Sequence, residues 1–231
     1  MRKLLHITAA LALLFAAAPG EAAAQSADPE VVDEHPFEVG AQLTFIGLNF
    51  PERISTGPAG TFRTGEQGVT TAGYGGRFGY NLNRYVALEV EVNHLPRRNF
   101  NEVFQNRREQ IFAGVRVGRR WEKVGVFAKA RPGAMYFDGY GSRGPCTFTL
   151  ASDTCTEQGR TFFAADVGGV VEYYPSRRVI LRVDAGDTIV RFREAGPINF
   201  PPIGTFPGSS SITVADTTHN FQMTFGIGFR F

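Results

Sequence analysis

The sequence predicts an all-β fold, an eight-stranded antiparallel up-and-down barrel that crosses a membrane, and three observations predict it. The last stretch, HNFQMTFGIGFRF, puts Phe221, Met223, Phe225, Ile227, Phe229 and Phe231 on one face and Gln222, Thr224, Gly226, Gly228 and Arg230 on the other. That is the period-2 alternation of a strand with one apolar and one polar side. Eight such stretches occur, and their connections are long after the first, third, fifth and seventh and short after the second, fourth and sixth. The charged residues of these stretches share the face opposite the aliphatic one. In water a long aromatic strand face invites pairing with other chains. Closed into a barrel in lipid, it pairs every backbone group and gives the aromatics an apolar solvent.

Residues 1–24 read as a secretory signal peptide: Arg2 and Lys3, an apolar run over 4–19, then small residues before Gln25. The run contains His6 and is shorter than the ~20 residues a helical span needs. No later stretch reaches about 18 uninterrupted apolar residues. Residues 25–35 (QSADPEVVDEH) are acidic and aperiodic, a periplasmic lead-in, and 36–231 form the barrel domain.

The first strand sets Phe37, Val39, Ala41, Leu43 and Phe45 against Glu38, Gly40, Gln42 and Thr44, and residues 48–69, rich in Gly, Pro and Thr, read as an exposed loop. The second puts Ala72, Tyr74, Phe78 and Tyr80 outward and Gly73, Gly75, Arg77 and Gly79 inward, then turns tightly through Asn81-Leu82-Asn83-Arg84. The third sets Val86, Leu88, Val90 and Val92 against Ala87, Glu89, Glu91 and Asn93, before a polar loop over 94–108. The fourth sets Ile111, Ala113, Val115 and Val117 against Phe112, Gly114, Arg116 and Gly118, and turns through Arg120-Trp121-Glu122-Lys123. The fifth sets Val124, Val126, Ala128 and Ala130 against Gly125, Phe127, Lys129 and Arg131. Pro132, unable to donate to a ladder, is expected to mark a bulge or the start of the outer rim. A loop over 138–159 holds Cys146 and Cys155. The sixth strand sets Phe163, Ala165, Val167, Val171 and Tyr173 against Ala164, Asp166, Gly168, Val170, Glu172 and Tyr174, with a tight turn at Pro175-Ser176-Arg177-Arg178. The seventh sets Val179, Leu181, Val183 and Ala185 against Arg182, Asp184 and Gly186, and the longest loop spans 191–218.

Arg77, Glu89, Glu91, Arg116, Lys129, Arg131, Asp166, Glu172, Arg182, Asp184 and Arg230 thus share the inner face. A lipid-facing Arg or Lys at the midplane costs about 2–4 kcal/mol, so this choice of side says which face meets lipid. A soluble barrel that holds an apolar ligand would be built the other way round. The expected lumen is closed by a structural salt-bridge network. Tyr80, Tyr85, Trp121, Tyr173, Phe229 and Phe231 fall at the short-turn end and Phe45, Tyr136, Phe163 and Phe221 at the other, as two aromatic girdles. Export and a lipid-facing surface place the protein in the outer membrane of a diderm bacterium.

The alternating strands from Phe37 to the terminal GIGFRF resemble the small outer-membrane β-barrel proteins of the OmpA/OmpX type. The resemblance implies that Phe225, Phe229 and Phe231 form the C-terminal signal read by the barrel assembly machinery. It further implies contact with outer-membrane lipid and lipopolysaccharide. Because the chain ends at the barrel, no peptidoglycan-binding domain is expected.

Some barrels of this class are lipid A-modifying enzymes. His94 and His219 fall at the external rim, with Asp216 and Ser209, Ser210 and Ser211 in the fourth loop. A nucleophilic site needs a Ser in reach of a His held by a carboxylate. Nothing in the spacing builds one, and a His-x-Ser pair is absent. The expectation is a non-enzymatic monomer without cofactor or metal, acting in envelope integrity or in surface interaction with an extracellular macromolecule through its loops. The alternatives are a narrow gated channel and a lipid A-modifying enzyme. A formal net charge of +2 without a clustered basic surface gives no support for nucleic-acid binding. Cys146 and Cys155 read as a disulfide, since they share a loop in an oxidising compartment, and two cysteines fall short of a zinc ligand set.

Overall fold

The computed structural model describes residues 36–57, 60–65, 67–96, 107–138, 143–149, 152–157, 159–200 and 209–231. The expected signal peptide, lead-in and His35 lie outside them. Fourteen strands are described: β1 (Phe37–Phe50), β2 (Arg53–Gly57), β3 (Gly60–Thr64), β4 (Gln67–Asn81), β5 (Val86–Leu95), β6 (Arg108–Arg120), β7 (Val124–Phe137), β8 (Arg143–Thr149), β9 (Ser152–Glu157), β10 (Arg160–Tyr173), β11 (Val179–Phe192), β12 (Ala195–Phe200), β13 (Ser209–Thr213) and β14 (Asp216–Arg230).

Eight of them close a barrel in the order β1-β14-β11-β10-β7-β6-β5-β4. Each barrel strand pairs antiparallel with its sequence neighbours, and β1 closes on β14 with Val39 opposite Phe229 and Leu43 opposite Phe225. Phe37 and Phe231 exchange both backbone hydrogen bonds at the seam, at 3.2 and 3.0 Å. Their rings lie 5.9 Å apart, and Phe37 also meets Tyr80 at 5.1 Å, which builds the aromatic girdle of the short-turn end. The outward face is apolar and bare: Leu43 is 57 % exposed, Ile111 53 % and Phe221 63 %. A continuous apolar band of this kind far exceeds the few-hundred-Å² patches of a soluble monomer and marks the surface that hydrocarbon covers.

Three expectations are corrected. Residues 48–69 are not simply an exposed loop: β1 keeps its alternation through Leu48 and Phe50, which are buried inside the barrel. From there β2 and β3 form a hairpin. The fourth loop is likewise structured, for β11 runs to Phe192, β14 begins at Asp216, and β13 pairs with β2 to give a four-stranded sheet β12-β13-β2-β3 across the first and fourth loops. Pro132 marks neither a bulge nor a rim. It lies inside β7 with unbroken register to β10, opposite Ala165, while the β6 ladder skips its row and resumes in the same register. The missing N–H therefore costs one local gap in pairing.

Candidate functional site

The inward face is the candidate site, because period-2 alternation sends every second side chain of eight strands into one narrow interior. It is filled in three layers. Nearest the short turns, Glu38 of β1 accepts from Arg230 Nε at 2.9 Å, Arg120 Nη2 at 3.1 Å, Arg116 Nη2 at 3.2 Å and Asn81 Nδ2 at 2.9 Å. Arg116 also pairs with Glu172 and lies 3.4 Å from Glu89, while its guanidinium stacks 4.6 Å over Phe127. Arg182 holds both Glu89 oxygens and meets Asp184 through Nε–Oδ1 at 2.5 Å and Nη2–Oδ2 at 2.9 Å. Arg131 joins Glu91 at 2.5 Å and Asp166, and Lys129 Nζ sits 2.8 Å from Asp166 and 3.6 Å from Asp184. Nearly all these groups are 4 % exposed or less, so each charge depends on its partners rather than on water.

Tyr174, the first residue beyond β10, closes this layer below. Its hydroxyl donates to Glu172 Oε2 at 2.6 Å and accepts from Arg120 Nε at 3.1 Å. Burial, reinforced by the Glu172 carboxylate, pushes its phenol up to about 12, so the donor keeps its proton.

Above the ions lies a belt of amides and hydroxyls. Gln42 Nε2 donates to Asn93 Oδ1 at 2.7 Å, Asn93 Nδ2 to Glu91 Oε1 at 2.7 Å, and Gln110 Nε2 to Gln222 Oε1 at 3.2 Å; Thr188 adds its hydroxyl to Gln222 at 3.0 Å. Toward the long loops the interior turns apolar. Ile46, Leu48, Phe50, Leu95, Phe112, Met135, Phe137, Phe162, Ala164, Val190 and Phe192 form one buried cluster. Phe137, Phe162 and Phe192 lie 4.9–5.7 Å apart by ring centroid, with Arg108 5.3 Å over Phe50.

All eleven charges expected inside are buried there, and the structure adds Glu38, Arg108 and Arg120. Glu38 stands in phase with the polar face of β1, while Arg120 is concealed by its place beside a turn. The expected pairing fails at one residue. Arg77 is 4 % exposed, its Nε and Nη2 find no hydrogen-bond partner, and it makes no ion pair among the described residues. It is seated by bare backbone: a Cβ at Gly226 would lie 2.7 Å from its Nη1, and one at Gly228 2.9 Å from its Nη2. The aromatic layer is an addition to the salt-bridge network expected to fill the lumen. Its trace in the sequence is the continued phase of Thr44, Ile46, Leu48 and Phe50, and of Thr188, Val190 and Phe192.

His94 and His219 are not brought together. His94 lies outward on β5, 3.7 Å from Glu109 and with its ring 5.3 Å from that of Tyr74. His219 lies outward on β14, its Nδ1 2.6 Å from Asp187 Oδ2, and Asp216 accepts from the Thr217 backbone N–H. Ser209, Ser210 and Ser211 are in β13, paired with β12 and β2. Backbone register sets Cys146 of β8 opposite Cys155 of β9. Cα separations across an antiparallel pair, about 4.5–5.5 Å, overlap those a disulfide takes, so we keep that bond as a proposal; the side chains lie outside the described residues.

No curated protein matches the sequence. Among solved structures, the chain is similar to neisserial surface protein A, at 15 % identity over 84 % of this chain and 97 % of that one, with TM-score 0.43. It is similar to OprG of Pseudomonas aeruginosa, at 9 % identity over 87 % and 99 %, with TM-score 0.44. It is also similar to Ail, the attachment invasion locus protein of Yersinia pestis, in a structure with the heparin analogue sucrose octasulfate, at 12 % identity over 85 % and 99 %, with TM-score 0.40. The family model described as outer membrane protein beta-barrel domain matches residues 8–231. A match over nearly the whole length, on a closed eight-stranded barrel with an apolar exterior, makes this chain a member of that outer membrane protein β-barrel domain family, located in the bacterial outer membrane.

Proposed function

We propose that the protein is a non-enzymatic, non-conducting barrel that serves envelope integrity and surface interaction, with the sheet-forming external segments as its contact surface. The observation that carries this reading is the filled interior: ions, amides and then phenylalanines occupy it in series. That leaves the outside as the working surface, where binding residues carried on a rigid scaffold usually gather. There the β12-β13-β2-β3 sheet ties the first and fourth loops together and offers a preformed platform to an extracellular macromolecule. A non-enzymatic role is supported by the separation of His94 from His219 and by the pairing of each with a carboxylate on the outward face. Lipopolysaccharide around the barrel and the assembly machinery during insertion are its proposed partners.

The test replaces β2–β3 and β12–β13 with short turns in cells that display the protein. Loss of adhesion to host matrix or cells, with the barrel still folded in the outer membrane, is the expected result. Unchanged adhesion, together with an altered lipid A mass spectrum that depends on His219, would overturn the reading in favour of the enzyme.

A further inference from the structure

We infer that the short-turn rim carries a binding site for an anionic phospholipid headgroup of the periplasmic leaflet, built by Arg84, Arg119 and Lys123 around Trp121. Four observations carry it. Among the described residues, Arg119, the last outward residue of β6, is the one charged outward position in the short-turn half of the barrel strands; Glu109, Asp187 and Arg191, the other charged outward positions, stand toward the long loops. A cation on the lipid-facing surface is tolerated only where it reaches the headgroup layer. Arg119 is at that level, its guanidinium 5.7 Å over the Trp121 ring, and Arg84 lies likewise 5.1 Å over Tyr85. Trp121 and Tyr85 are 50 % and 42 % exposed, as girdle residues are.

The β5–β6 pairing sets the turn after β4 beside the turn after β6, Gly118 N–H donating to Tyr85 C=O at 2.8 Å. A shallow basin of about 610 Å³ opens at this place, with Arg84, Arg119, Arg120, Trp121, Glu122 and Lys123 in its wall. Four cations line it with one carboxylate; Arg120 is engaged by Glu38 of the lumen, and none of Arg84, Arg119 and Lys123 makes an ion pair among the described residues. Arg177 and Arg178, exposed in the remaining short turn, extend the same sign around the rim. Unpaired guanidinium and ammonium groups beside a concave, aromatic-edged surface fit a phosphate by charge-assisted hydrogen bonds. Since Arg119 points along the hydrocarbon-covered face, that phosphate belongs to a lipid rather than to a soluble ligand or a periplasmic polymer. This site is independent of the loop surface proposed above.

The experiment uses the full protein purified from membranes in zwitterionic detergent, with heat-modifiable gel migration to confirm the folded barrel. Native mass spectrometry then compares phosphatidylglycerol with phosphatidylethanolamine of the same acyl chains. The wild type is expected to prefer phosphatidylglycerol by roughly thirtyfold, as about two net charges near a phosphate supply. Combined R84Q, R119Q and K123Q substitutions abolish the preference, Arg119→Gln alone weakens it several-fold, and Arg63→Gln on the external hairpin leaves it intact. Equal retention of the two lipids by the wild type, survival of the preference in the triple variant, or displacement of the lipid by equimolar inorganic phosphate would overturn the assignment.

Discussion

At the scale of single residues, the lumen separates charges that have partners from one that has none. Arg131 ties Glu91 to Asp166, and both carboxylates are fully buried. Arg131→Met leaves two buried anions short of a cation, for which the usual cost is about 3–5 kcal/mol. Urea unfolding in detergent or bilayers should show that loss directly. Arg77→Met should behave in the opposite way, neutral or stabilising by about 1 kcal/mol or more, because it removes a buried cation whose Nε and Nη2 are unpaired. A destabilisation as large as that of Arg131→Met would mean that Arg77 is held by something the ion-pair geometry does not show. The inner charges are legible in the sequence because hydrocarbon penalises the wrong face so heavily. Their partners are not, since Arg116 reaches Glu38 and Glu172 across strands 78 and 56 residues away, and only closure of the barrel sets those distances.

At the scale of elements, strand existence and phase were readable from alternation, whereas the strand ends nearest the long loops were not. Ile46, Leu48 and Phe50 continue the inward phase of β1, but an apolar inner residue there breaks the polar-inside pattern and resembles the start of a loop. The same change of polarity conceals Val190 and Phe192 in β11. The small sheet of β2, β3, β12 and β13 depends on pairing between segments more than 150 residues apart in the chain, which no local pattern reports. The short turns were legible because nothing else accounts for Asn, Pro and Ser between two alternating runs. Asn83 Oδ1 accepts from the backbone of Tyr85 and Val86, and Ser176 Oγ accepts from Val179. β14 carries a separate expectation. Phe231 is 53 % exposed and its ring stacks on that of Phe37, so Phe231→Ala should cost about 1 kcal/mol or less in refolding from urea. If Phe231 is part of the assembly signal, the same variant should lower the heat-modifiable folded band recovered from outer membranes several-fold. Equal losses in both assays would make its role purely structural.

At the scale of the whole molecule, an apolar exterior and a filled interior are two sides of one sequence pattern, and on the reading proposed above the filling closes the lumen twice. In that reading the ion layer would block by paired charge, and the phenylalanine layer above it by excluding water. Two barriers in series predict that truncating Phe137, Phe162 and Phe192 together to Ala leaves the barrel non-conducting while lowering its stability by several kcal/mol. Opening should require loss of the ion layer as well. The most direct test of the account is the conductance of the folded wild-type protein in planar bilayers. It predicts no steady open state at any moderate voltage, and a large, stable single-channel conductance would contradict it.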